Sequence, residues 1–250
     1  MTGWLVIAGL GPGDPRLTTP EVTNALAEAT DLVGYGPYVR RVADRPGLTR
    51  HETDNRAELD RARHALAMAS SGRRVIIVSS GDPGVFAMAA AVFEAVEAGP
   101  SGWRALDIRV APGITAMIAA AARIGAPLGH DFCAINLSDN LKPWALIETR
   151  LYLAIEADFV IALYNPRSKA RPEGFGRALD LLRTTCAAAR VMVFARAVST
   201  PRERIDVVPL ADATAEMADM ATVVLVGSSA TRIIDRPGSP FVYTPRAVAG

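Results

Sequence analysis

Leu5-Val6-Ile7-Ala8 is a short apolar run that passes directly into Gly9-Leu10-Gly11-Pro12-Gly13-Asp14-Pro15, and the same plan recurs twice further along the chain. Val75-Ile76-Ile77-Val78 ends in Ser79-Ser80-Gly81-Asp82-Pro83-Gly84 ahead of an apolar helix expected from Val85 to Val96. Ile108-Arg109-Val110 ends in Ala111-Pro112-Gly113-Ile114-Thr115-Ala116 ahead of an Ala-rich stretch. Apolar, β-branched runs bounded by Gly and Pro read as strands. Strands alternating with helices read as a parallel α/β sheet, and such sheets bind ligands outside the carboxyl ends of their strands. The turns lie at those ends.

The first turn is not a phosphate site. Asp14 stands where G-x-G-x-x-G requires its third glycine, and no Gly-Lys-Ser/Thr follows to make a P-loop. A carboxylate there repels a pyrophosphate. Taken singly, each Gly or Pro is explained by turn geometry. Their joint recurrence is what points to a bound ligand.

The chain has 250 residues, half of them hydrophobic, enough for one large core or two modest ones. Pro112-Gly113 is the expected boundary, separating an N-terminal α/β domain (1–111) from a C-terminal α/β domain (112–250). Thr19-Pro20-Glu21 reads as the start of a helix through Ala29, and Arg56 to Ala69 repeats apolar and small residues at helical spacing. Strands are expected at 132–136, 159–163, 190–195, 205–208 and 222–226, forming a second, mixed sheet. A net charge of +1 supplies no field toward nucleic acid or an anionic membrane. The first strand begins close behind Met1 with no basic leader, and no charge-free apolar run nears the roughly 20 residues of a membrane span, so a cytoplasmic protein is expected. Cys133 and Cys186 stand far apart among apolar and small residues, which excludes a CxxC metal site and favours buried thiols.

The three glycine turns, in this order and spacing, resemble those of the tetrapyrrole methyltransferases that use S-adenosylmethionine in siroheme and cobalamin synthesis. His130-Asp131-Phe132, Leu137-Ser138-Asp139 with Pro143-Trp144, Leu163-Tyr164-Asn165-Pro166-Arg167-Ser168, and Thr222 to Gly227 with Thr244-Pro245-Arg246 extend the resemblance to nearly the whole chain. They narrow it to the branch that methylates carbon 17 of a precorrin with contraction of the ring. The chain departs from that branch at Asn140-Leu141-Lys142 and at Ser228 after Val226-Gly227.

The resemblance implies two α/β domains of the tetrapyrrole methylase type with the active site in the cleft between them, a homodimer, and a tetrapyrrole small-molecule substrate rich in carboxylates. It places Pro12, Gly81, Asp82, Val85, Thr115, Ala116, Asn165 and Gly227 around S-adenosylmethionine, and it implies no metal. Methyl transfer from a sulfonium needs alignment and exclusion of water rather than a protein nucleophile. Ring contraction adds a proton transfer. Asp14 is the first acid/base candidate, against the alternative of an Asx turn closing its own loop; His130 and Asp139, flanking one strand, come next. His51 and His64, in polar, helix-like surroundings, are assigned no catalytic role.

Of the 27 basic residues 25 are Arg, whose planar fork suits carboxylates. Arg16, Arg40, Arg41 and Arg167 are the local candidates for substrate binding, each alternatively a solvated surface charge. Three other readings remain: a methyltransferase acting on another corrin carbon such as carbon 11, a non-catalytic tetrapyrrole-binding protein, and a nucleotide-binding oxidoreductase, which Asp14 disfavours.

Overall fold

The computed structural model describes residues 3–54 and 57–247, and the chain divides into two compact units, Met1–Thr115 and Ala116–Gly250. In the first unit β1 (Trp4–Gly9) leads through α1 (Pro20–Glu28) to β2 (Asp31–Tyr35), then through the short α2 (Gly36–Val39) to β3 (Thr49–Thr53). Next come α3 (Glu58–Ser70), β4 (Arg74–Ser79), α4 (Met88–Ala98) and β5 (Asp107–Ala111). The strands pair in the order β3-β2-β4-β1-β5, every pair parallel. Because side chains alternate across a strand, Leu5 and Ile7 pack with α3 and α4 on one face, while Val6 and Ala8 pack with α1 residues on the other. A strand covered on both faces must be apolar throughout, which is why β1 and β4 read as continuous hydrophobic runs.

Helix α1 begins as its sequence dictates: Thr19 Oγ1 accepts the Val22 amide at 3.3 Å and Pro20 fills the first helical position. Helix α4 begins later than expected. Its first residue is Met88, not Val85, because Phe86 is held at φ +54°, a left-handed conformation no α-helix contains. Helix α3 starts at Glu58; residue Arg56 lies outside the described residues. Strands β2 and β3 escape a reading by periodicity: β2 is five residues with a glycine, Gly34, at the fourth, and β3 is a polar edge strand.

The second unit opens with α5 (Ala116–Ile124) and the two-residue strand β6 (Gly125–Ala126). There follow β7 (Phe132–Asn136), α6 (Trp144–Glu156), β8 (Val160–Tyr164), α7 (Gly174–Thr185), β9 (Val191–Arg196), β10 (Arg204–Pro209) and β11 (Thr222–Val226). Two short strands close it, β12 (Arg232–Ile234) and β13 (Phe241–Tyr243). The main sheet runs β10-β9-β11-β8-β7 and is mixed, with β7 and β8 parallel and the other pairs antiparallel. A smaller sheet has the order β12-β13-β6. The bounds of β7 and β11 match the sequence expectation to the residue, and those of β8 and β9 are shifted by one.

The core of this unit is built on Phe175 of α7 and Phe194 of β9, fully buried, with ring centroids 5.9 Å apart and planes at 85°. An edge-to-face pair so enclosed leaves a cavity when one ring is removed. Phe175→Ala is therefore expected to destabilise the protein by about 3–5 kcal/mol, read as a lowered midpoint in urea unfolding.

Candidate active site

The three glycine turns of the first unit meet at the carboxyl ends of β1, β4 and β5. The Gly11 amide donates to the Gly81 carbonyl at 3.1 Å and the Gly81 amide donates to the Gly11 carbonyl at 2.9 Å, with both residues at positive φ (+68° and +65°). A Cβ on Gly9 would lie 2.5 Å from the Gly81 oxygen, and one on Gly113 would come closer still, so neither position admits a side chain without moving backbone. Asp82 ties the second turn to the third: its Oδ1 accepts the Gly84 amide at 2.8 Å and its Oδ2 accepts the Gly113 amide at 3.0 Å. Of the expected cofactor residues, Gly81 and Asp82 thus stand within one hydrogen-bonded edge. Pro12 follows Gly11 directly, Val85 closes the loop after Asp82, and Thr115, buried, follows Gly113 by two residues.

In the second unit, Tyr164 ends β8 and Asn165 follows it. Asn165 adopts φ +51° and its Nδ2 donates to Asn136 Oδ1, 3.1 Å away at the end of the parallel neighbour β7. The Tyr164 hydroxyl accepts the Met117 amide at 3.0 Å, which holds the first turn of α5 and with it Ala116. Tyr164 lies inside the Tyr-Asn-Pro-Arg-Ser segment that carries the resemblance, but residue type and spacing give no sign of this contact.

Gly227 does not join Asn165. Strand β11 pairs with β8 in antiparallel fashion, Val224 opposite Leu163 and Val226 opposite Ile161, so Gly227 lies at the start of β8. About five residues of strand, on the order of 15 Å, separate the two. Nothing in the spacing of the motifs shows this, because strand direction is a property of the fold. The glycine at 227 is explained locally: a Cβ would meet the Thr231 side chain at 2.7 Å.

The turn beyond Gly227 is held by Asp158, itself at φ +53°. Its Oδ1 accepts Arg190 Nη1 at 2.7 Å and the Ser229 amide at 2.8 Å, and its Oδ2 accepts the Ser229 hydroxyl at 2.5 Å. Arg190 also donates to the Gly227 carbonyl at 3.0 Å. Burial pushes the Asp158 carboxyl up, but the hydrogen bonds from Ser229 and Arg190 outweigh it and hold the group below the usual carboxylate range.

The acid/base candidates are all engaged. Asp14 Oδ1 accepts the Arg16 amide at 2.9 Å, an Asx turn that caps the single helical turn at 15–17, and Oδ2 pairs with the Arg16 guanidinium at 2.7 Å. His130 Nδ1 accepts the Asp131 amide at 2.8 Å, and Asp139 stands 3.9 Å from Arg171. These two residues lie beyond opposite ends of β7. Of the arginines, Arg40 pairs with Glu52 at 2.6 Å, and Arg167 Nε donates to the Pro172 carbonyl at 3.3 Å.

Arg41 is neither a solvated charge nor a free carboxylate receptor. Its Nη2 donates to the Leu10 and Gly11 carbonyls at 2.8 and 3.0 Å and its Nη1 to Ser80 Oγ at 3.1 Å, and burial lowers its pKa. His51 sits on a strand rather than a helix, with Nε2 2.8 Å from the buried carboxylate of Asp31. Its Nδ1 lies 3.5 Å from Nε2 of His64 on α3. Both cysteines are half-buried rather than buried, and burial raises the Cys133 thiol pKa. Among the described residues, no three His, Cys, Asp or Glu side chains converge on a metal position.

The chain belongs to the tetrapyrrole (corrin/porphyrin) methylases, whose family description matches residues 4–214. A precorrin-3B C(17)-methyltransferase of a Sinorhizobium species is 57% identical over 100% of this chain and 99% of that protein. The solved structure of the methyltransferase CobJ is 65% identical, covers 97% of this chain and 100% of its own, and superposes with a TM-score of 0.93. A uroporphyrin-III C-methyltransferase from Thermus thermophilus, solved in complex with S-adenosylhomocysteine, is 22% identical over 90% of this chain and 97% of its own and shares the fold at a TM-score of 0.68.

A carboxyl whose pKa is depressed in the folded state contributes stability above its unfolded pKa and loses it as pH falls through the folded value. The acid limb of the stability profile below about pH 4 is therefore expected to be shallower in Asp158→Asn than in the parent, with lower stability at neutral pH. Asn tolerates the left-handed backbone, so thermal melts at stepped pH isolate the charge.

Proposed function

We propose that the chain transfers a methyl group from S-adenosylmethionine to carbon 17 of precorrin-3B and releases the ring-contracted precorrin-4. The observation that carries this reading is the joined edge of three glycine turns, in a chain similar over its whole length to a protein of that named activity.

The edge fits a ligand that must approach backbone. At Gly84 the Asp82 carboxylate is the one group a Cβ would meet, at 3.2 Å, so backbone there stands clear of bulky side chains. S-adenosylmethionine, when bound, supplies a methyl group already activated by its sulfonium charge. The work left to the chain is to hold donor and acceptor in line and keep water out. Gly81 and Asp82, with Pro12, Val85 and Thr115 beside them, are assigned to holding the cofactor, and Ala116 and Asn165 share that assignment by resemblance. Asp14 is assigned the proton transfer of ring contraction. The same reading takes the enzyme as a cytoplasmic homodimer, which light scattering on the purified protein tests for the oligomer.

Binding of S-adenosylhomocysteine in the micromolar range, roughly −8 kcal/mol, is expected by calorimetry without added metal. Anaerobic incubation with precorrin-3B and labelled S-adenosylmethionine should place one label at carbon 17 of a contracted macrocycle. Label at carbon 11, or acceptance of precorrin-4 alone, overturns the branch; cofactor binding with no tetrapyrrole methylated overturns the substrate class.

Asp14→Asn keeps an amide oxygen to accept the Arg16 N–H and so preserves the turn. It is expected to lower turnover by about 10²–10⁴-fold with S-adenosylhomocysteine affinity unchanged. Turnover within a fewfold of the parent would confine Asp14 to capping.

A further inference from the structure

Several arginines of the first unit cap backbone carbonyls. Arg45 reaches Leu26 and Ala29 at the end of α1, Arg50 reaches Val39 at the end of α2 and Val42 beyond it, and Arg61 reaches Asp54. Arg41 differs from them in what it joins. Its fork spans two glycine turns that come from strands far apart in sequence: Leu10 and Gly11 after β1 through Nη2, and Ser80 after β4 through Nη1.

The Gly11 carbonyl is a shared acceptor, taking the Gly81 amide and Arg41 Nη2 at once. The Leu10 carbonyl likewise takes Thr18 Oγ1 at 3.3 Å as well as Arg41. Among the described residues no carboxylate pairs with the Arg41 guanidinium. The acceptors that hold this half-buried cation are those two carbonyls and that hydroxyl, all of them neutral. Moving either turn away removes part of that set and breaks charge-assisted hydrogen bonds.

From this geometry we propose that Arg41 is a positioning residue that ties the first and second glycine turns into one unit and so sets the affinity for the cofactor. The affinity part rests on the cofactor assignment of the preceding subsection; the tie itself does not. The planar fork is essential to it. One guanidinium holds three acceptors on two chain segments in fixed directions, whereas a lysine offers a single nitrogen at the end of a flexible stem.

Arg41→Ala and Arg41→Lys in the full chain test it by amide hydrogen exchange and steady-state kinetics. The Gly11 and Gly81 amides, which bond each other's carbonyls, are expected to exchange about tenfold faster in Arg41→Ala and less so in Arg41→Lys, with Ile7 and Ile77 in the strand interiors unchanged. The KM for S-adenosylmethionine is expected to rise about tenfold in Arg41→Ala, with the KM for the tetrapyrrole within about twofold. Arg41→Lys carries the test if the alanine variant does not fold. Unchanged exchange at both glycines in the variants overturns the tie. A lowered melting temperature with an unchanged cofactor KM overturns the positioning role and leaves Arg41 a plain stabiliser. Failure of the parent itself to bind S-adenosylhomocysteine overturns the cofactor assignment and the affinity claim together, and the exchange result still decides the tie.

Discussion

The carbonyl of Gly81 is the point around which the first unit's binding edge is organised. It accepts the Gly11 amide and faces Gly9 and Gly113 at separations that no Cβ permits. Three chain segments approach one another there as backbone alone. That contact explains the glycines at 9 and 113, and positive φ explains those at 11 and 81, despite the roughly 0.5–1 kcal/mol each that glycine costs in backbone freedom. It also explains the place of Asp82, whose two oxygens satisfy the amides of Gly84 and Gly113 where the turns leave the strand ladder.

A parallel sheet delivers the ends of β1, β4 and β5 to one side because every pair among them is parallel. Strand order makes β4 and β5 the two neighbours of β1, so the three turns become adjacent although Gly9 and Gly113 are far apart in sequence. In the second unit the mixed sheet has the opposite consequence. Antiparallel pairing of β8 with β11 sends Asn165 and Gly227 to opposite ends, and each end has its own supporting network: Asn136 and Tyr164 at one, Asp158, Arg190 and Ser229 at the other.

The abundance of arginine takes on a different meaning once partners are visible. Arg41, Arg45, Arg50, Arg61, Arg183 and Arg190 all donate to main-chain carbonyls, several of them at the ends of helices and strands. Planar guanidinium groups satisfy carbonyls that the regular ladders leave open, and they can do so in half-buried places where an ammonium is held less well. Arg16 and Arg40 are exposed and paired with Asp14 and Glu52. Residue type alone did not separate these uses.

What the sequence by itself determined is local. The turns at Gly9 to Pro15, Ser79 to Gly84 and Ala111 to Ala116, the cap at Thr19, and the bounds of β7 and β11 follow from short-range rules of glycine, proline and apolar alternation, and the joint motif pattern carried the family. Tertiary structure alone decided which of these pieces meet. The late start of α4 depends on the left-handed backbone of Phe86. The role of Arg41 depends on β1 and β4 being neighbours, and the separation of Gly227 from Asn165 depends on strand direction. The last two are relations between residues distant in sequence, and spacing along one chain carries no information about strand order or direction until the hydrophobic faces have packed.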